Sequence, residues 1–236
     1  MPDSLEQLTA EVVACSKCPR LVAWREQVGR DKRAAYRDSI YWSRPVPGFG
    51  DPQANLLIVG LAPAAHGGNR TGRIFTGDRS GDWLFGALYR ASYANQPTST
   101  DRDDGLQLRG AYISACVRCA PPDNKPSLEE RDTCLPYLGR ELRLLHNVRT
   151  MVCLGKFAYD GLAQVLQLRR RPPFGHGVEA HLPDGRTLLC SFHPSQQNTF
   201  TRKLTLPMFD AIFRRARELA SEPACTAEPV ERPGAV

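Results

Sequence analysis

The chain has 236 residues, 42% of them hydrophobic and 24% charged, and carries a formal net charge of +6. That length buries the core of one domain without requiring a second, and nowhere do about 20 apolar residues run together as a membrane span requires. The opening residues MPDSLEQLTAEV lack a basic segment followed by an apolar run, so no secretory signal and a cytoplasmic protein are expected. Arg greatly outnumbers Lys; the positive balance suits a polyanionic partner such as nucleic acid, the plain alternative being the composition of a GC-rich genome.

In chain order, Ser4-Leu-Glu-Gln7 has the form of a capping box and predicts a helix from Leu5 to Ala14. After the break CSKCPR a second helix is expected over Leu21 to Val28. Asn55 to Val59 reads as a fully buried strand, as do Ala111 to Cys116, Thr150 to Leu154 and Thr187 to Phe192. Between them lie helical patterns at Asp82 to Tyr93, at Leu128 to Leu145 behind the capping box Ser127-Leu-Glu-Glu130, and at Phe157 to Leu168. Leu206 to Leu219 closes the fold. Alternating strands and helices imply an α/β protein, with a mainly parallel sheet covered by helices on both faces. ANQPTSTDRDDG reads as a polar surface loop, and a single domain over residues 1–217 is expected to end in a Pro-rich, disordered tail over 218–236.

The eight cysteines point to metal binding or burial rather than to disulfides. Cys116, Cys153 and Cys190 fall inside apolar strand runs, where a thiol packs as a small hydrophobe, and Cys225 sits in the tail. That leaves Cys15 and Cys18 of CSKC, Cys119 of VRCAPP and Cys134 of RDTCLPY, where Pro136 is expected to interrupt the helix. Four thiolates suit either Zn²⁺ or a [4Fe–4S] cluster, and spacing alone does not decide between them. CVRC offers a rival set, Cys15, Cys18, Cys116 and Cys119, against which strand alternation turns Cys116 into the sheet's packing.

GLAPAAHGGNRTGRIFTGDRSG, from Gly60 to Gly81, leaves the first buried strand through residues that let the backbone approach a ligand. The C-terminal end of a central strand is where open α/β sheets bind ligands. With VRCAPPDNKP and its downstream cysteine, and with SFHPS, this stretch resembles the uracil-DNA glycosylase superfamily, most closely its iron–sulfur type-B branch, also called family 5. The likeness runs from Cys15 to about Arg215.

The resemblance implies a three-layer α/β/α sandwich around a small parallel sheet, a [4Fe–4S] cluster on Cys15, Cys18, Cys119 and Cys134, and removal of uracil and other deaminated bases from DNA by a nucleoid-associated monomer. Such chemistry needs a base out of the stack. Phe75 is the expected stacking platform, and the turn with Gly60, Ala62, Pro63 and Ala64 would offer backbone N–H groups to the base. His193 would stabilise the departing anion, with His66 lining the same pocket. The superfamily's commonest pattern places an aspartate where this chain has Ala62 and a base-reading asparagine where it has Ala115. Asp78, which is also a candidate helix N-cap, and Asn124 are the expected substitutes. A pocket without that fixed amide should discriminate weakly among bases.

DNA contacts are expected from Asn69, Arg70, Arg73, Arg79, Lys125, Arg202 and Lys203, with Ser195 and Asn198 as further partners of base or phosphate. No apolar wedge directly follows HPS. Two other readings compete: an iron–sulfur redox protein, and a nucleic-acid binder without catalysis. A phosphate-binding hydrolase is disfavoured because G-x-x-x-x-G-K-[ST] is missing.

Overall fold

A computed structural model describes residues 3–221. Its centre is a six-stranded sheet in the order β1-β3-β2-β4-β6-β5. The four inner strands, β2 (Leu56–Gly60), β3 (Ala111–Ala115), β4 (Thr150–Leu154) and β6 (Thr187–Ser191), are mutually parallel and buried along their whole length. Short antiparallel strands, β1 (Phe49–Gly50) and β5 (Glu179–His181), close the two edges. Neither edge strand is predicted from sequence, because two or three half-buried residues carry no period.

Helices cover both faces, as the alternation of elements requires. α4 (Arg79–Arg90) and α8 (Leu206–Ser221) pack on one side; α5 (Leu128–Leu144) and α6 (Lys156–Val165) pack on the other, with α1 (Leu5–Val13) laid across α5. α2 (Pro19–Asp31) and two short helices, α3 (Gly68–Thr71) and α7 (Gln196–Phe200), complete the set. α8 continues four residues beyond the expected domain end at 217; residues 222–236, with Cys225 and the rest of the expected tail, lie outside the described residues. No helix among the described residues is long and apolar enough to cross a membrane.

The capping signals are used unequally. Ser127 and Glu130 exchange both bonds of a capping box, at 3.1 and 2.7 Å. Ser4 accepts from the Gln7 N–H, but the Gln7 side chain turns to Glu11 instead of back to the cap. Pro136 does not interrupt α5: the helix runs through it to Leu144. Its ring only removes one N–H donor from an otherwise continuous ladder.

A charge pair is sealed inside the sheet layer. Arg118, just beyond β3, and Glu141 of α5 are each 2% exposed and paired, and the Ser114 hydroxyl donates to the same Glu141 oxygen. Removing one partner leaves an uncompensated charge in a dry interior. Glu141→Leu should therefore destabilise the fold by about 3–5 kcal/mol in urea unfolding, and the double variant Arg118→Met/Glu141→Leu should recover most of that loss.

Candidate active site

The carboxyl ends of the parallel strands open onto a cleft of about 580 Å³. Leu61, Ala62 and Ala64 line it after β2, Phe75 with Asp78 to Ser80 forms one wall, Asp123 to Lys125 a second, and His193 with Ser195 to Gln197 a third. Of the expected residues, Ala62, Ala64, Phe75, Asp78, Arg79, Asn124, Lys125, His193 and Ser195 meet there. Ala62 and Ala64 offer backbone N–H groups that donate to no protein acceptor among the described residues.

Close backbone approach sets the walls. A β-carbon on Gly60 would stand 2.7 Å from the Phe75 ring, so Gly60 seats that ring rather than touching a ligand. Phe75 itself has φ +54°, a left-handed conformation costly for a bulky side chain and typical of functional sites. On Gly67 a β-carbon would stand 2.1 Å from Asp78 Oδ2. Asp78 caps α4, its Oδ1 accepting from the Gly81 N–H at 3.0 Å. Its other oxygen lies over Gly67, within the cleft wall.

Burial lifts the Asp78 carboxyl from 3.8 to about 6, opposed by the N–H groups of Gly81 and Ser80 and by Arg70. His193, half-buried after β6, is pushed down to about 4 by burial alone. Near neutral pH the cleft therefore pairs a carboxylate with a neutral imidazole, whose ring nitrogens have no protein partner among the described residues. The Asn198 side chain donates to the His193 carbonyl at 2.8 Å and Ser195 caps α7, so both position the histidine loop. The Phe75 and His193 ring centroids lie 6.0 Å apart, with the ring planes 30° from parallel.

Several expected contacts are placed elsewhere. Arg73 is 5% exposed and bonded to Asp104, Ser99 and Thr76, so its charge is spent inside the fold, not on DNA. Asn69 is buried and donates to the Arg25 carbonyl. His66 bonds Tyr41 away from the cleft, and Pro63 lies buried behind the turn. Arg70 stacks on Tyr36 and bonds the His66 carbonyl. Arg202 and Lys203 remain exposed, the latter over the Phe192 ring.

Five lining residues were not expected: Leu61, Ser80, Asp123, Gln196 and Gln197. Each adjoins a motif residue, a signal the sequence did carry. Phe200 was also missed. It is 62% exposed, with Arg79 stacked on it, because α7 moves the exposed aromatic residue one helical turn beyond the segment directly after HPS.

A second hollow is lined by Cys15, Cys18, Cys119 and Cys134, together with Arg25 and Arg118. Cys116 instead packs against Gly161 of α6, which removes it from the rival set. Arg25 donates to the Cys119 sulfur at 3.0 Å; Arg25 Nε and the Nε and Nη1 of Arg118 are buried without partners. Burial pushes the Cys119 and Cys134 thiols up to about 11 and 12. Unpaired buried donors facing four thiols suit an electron-rich, sulfur-ligated group. Among the described residues no three His, Cys, Asp or Glu are grouped so as to hold one metal ion; these cysteines surround a cavity instead.

An α/β sandwich with a polar cleft at its strand ends is one of the α/β architectures that bind ligands there. The family model described as Uracil DNA glycosylase superfamily matches residues 47–217. A "Type-5 uracil-DNA glycosylase" of Mycobacterium leprae is 54% identical, over 92% of this chain and 96% of the relative. Another, from Thermus thermophilus, is 50% identical over 91% and 98%. A "Type-4 uracil-DNA glycosylase" of Archaeoglobus fulgidus is 29% identical over 70% and 67%. The chain belongs to the uracil DNA glycosylase superfamily, among its type-5 uracil-DNA glycosylases.

Because the native state binds the Asp78 proton more tightly than the unfolded chain does, ionising it costs stability as pH rises from about 4 to about 6. Asp78→Asn keeps an N-cap and removes that cost. The variant should be more stable than the parent in urea titrations at pH 8, and no more stable at pH 3.5.

Proposed function

We propose that the chain is a uracil-DNA glycosylase of DNA repair that extrudes a deaminated base and hydrolyses its N-glycosidic bond, leaving an abasic site. The observation that carries this is the joint presence of Phe75, Asp78 and His193 on one cleft at the strand ends. The base lies against the turn, where the free N–H groups of Ala62 and Ala64 meet its carbonyl oxygens. Two stacking gaps need about 7 Å, more than the 6.0 Å between Phe75 and His193, so the base sits beside this ring pair rather than between its members.

As the bond to C1′ breaks, negative charge grows on the base and positive charge on the sugar. His193, neutral at working pH, donates an N–H to the base oxygen and stabilises the anion. Ionised Asp78 orients the attacking water and offsets the sugar's charge. Asn124, exposed on the opposite wall, hydrogen-bonds the base edge. Ala115 leaves the end of β3 without a base-reading amide, so hypoxanthine is released too, more slowly than uracil. Phe200 fills the gap left in the duplex, and Arg79, Lys125, Arg202 and Lys203 hold the phosphates. Each residue given a role here belongs to the same chain, so the reading requires no second copy.

Cys15, Cys18, Cys119 and Cys134 would hold a [4Fe–4S] cluster, whose chemistry when bound is structural cross-linking, since base release transfers no electron. The four residues tie α1 and α2 to the loop that leads to Asn124, and Arg25 and Arg118 face the sulfurs with N–H donors. Purified protein should be brown and contain iron and acid-labile sulfide in equal amounts, and Cys134→Ala should lose both.

Excision should be measured by alkaline scission of a uracil-containing oligonucleotide under single-turnover conditions. His193→Ala should be slower by about 10²–10³, the cost of losing one donor to a developing anion. The wild-type rate should rise with pH to a plateau, with a midpoint near the Asp78 value of about 6. Asp78→Ala should abolish that limb, and Gly67→Ala should slow the parent more than it slows Asp78→Ala, since the nearest atoms its β-carbon would meet are the carboxylate's Oδ2 at 2.1 Å and Cγ at 2.8 Å. Release of uracil but no other deaminated base would refute the permissive pocket.

A further inference from the structure

The segment from Lys32 to Arg44 carries four cationic side chains, Lys32, Arg33, Arg37 and Arg44, against one carboxylate, Asp38. Arg33, Arg37 and Arg44 are exposed and join no ion pair among the described residues. At its outermost point stands Ile40, 94% exposed, an aliphatic side chain left wholly in water. Ile40 has no part in the described core, and among the described residues no carboxylate pairs with these arginines.

The segment is nevertheless fixed against the catalytic turn. The Trp42 and Ser43 N–H groups donate to the Arg70 and Asn69 carbonyls at 2.9 and 3.0 Å, and the Tyr41 hydroxyl bonds His66 at 3.0 Å. Trp42 lies so close to Gly72 that a β-carbon there would stand 2.9 Å from its ring. Arg44 and Arg102 stack on Trp42, and Arg70 stacks on Tyr36. Held on the Trp42 ring, the Arg44 guanidinium loses little freedom on meeting a phosphate, whereas the Arg70 Nε–H is already taken by the His66 carbonyl at 2.9 Å. Tyr41, Trp42 and Ser43 thus hold His66, Asn69 and Arg70, the stretch whose Gly67 packs on the cleft-lining Asp78, so the segment backs onto the loop that forms the cleft wall.

We propose that Lys32–Arg44 is a second DNA-binding surface, separate from the cations of the cleft rim, on which Arg33, Arg37 and Arg44 meet phosphates flanking the extruded nucleotide and Ile40 packs in a groove of the duplex. This rests on the DNA-glycosylase reading. The rings lie beneath arginines rather than open to bases, so recognition here is of the phosphate backbone and independent of sequence.

Fluorescence anisotropy with a 30-base-pair duplex, undamaged or carrying an abasic site, tests the proposal across a salt series. Arg33→Ala/Arg37→Ala/Arg44→Ala should weaken binding to both duplexes alike and make the slope of log K against log salt shallower by about 2–3, at roughly 0.9 for each phosphate no longer neutralised. Ile40→Ala should weaken binding severalfold with the slope unchanged, and the triple Arg→Lys variant should keep the parental slope, which controls for folding. Single-turnover excision at saturating enzyme should not change. An unaltered slope in the triple Ala variant overturns the proposal, as does a slower saturated rate, which would place these residues in the chemical step. Wild-type protein that binds duplex DNA with the expected slope but releases no uracil overturns the glycosylase reading alone.

Discussion

Two places where no β-carbon stands govern the active cleft. Gly60 lets the Phe75 ring come down onto the end of β2, and Gly67 lets the Asp78 carboxylate lie against the turn. Ring and carboxylate are thereby held at the carboxyl ends of the parallel strands, where His193 arrives from β6. The same approach removes water from Asp78, which is why its proton is held so tightly. One steric condition thus sets both the shape of the cleft and the charge it carries. The left-handed backbone at Phe75 is the visible strain of that arrangement, and the N-cap bond to Gly81 helps to hold it.

Arginine serves two opposed purposes in this chain. Arg73 and Arg118 are buried with Asp104 and Glu141; the first pair joins two loops and the second joins the end of β3 to α5. Arg25 and Arg118 also line the cysteine hollow, and the Arg25 carbonyl accepts from Asn69, so α2 joins the cysteines to the first motif. Arg79, Arg33, Arg37 and Arg44 stay at the surface, where a polyanion can reach them. Net charge counts both kinds equally, and only the outer kind steers DNA.

Much of the scaffold is legible in the chain alone. The buried runs at 55–59, 111–116, 150–154 and 187–192 become the four inner strands within a residue of their ends, because unbroken apolar runs have no stable place except between two helical layers. The edge strands escape notice because edges are short and half wet. Pro136 misleads because a proline's local preference gives way when the rest of a 17-residue helix is anchored by packing. Arg73 and Asn69 mislead because a motif fixes which residues are near a site, while their direction depends on partners distant in sequence, such as Asp104 and the Arg25 carbonyl.

By itself the sequence determined the strand-and-helix alternation, the family motifs and the short list from which the cleft is drawn, since these follow from local periodicity and from residue types in fixed order. Tertiary structure alone decided which arginines keep their charge for solvent and that Asp78 and His193 have their proton affinities moved in opposite senses. The physical reason is burial. Burial works on the charged form of any group, raising an acid and lowering a base, and its extent is a property of the packed neighbourhood that no stretch of chain contains.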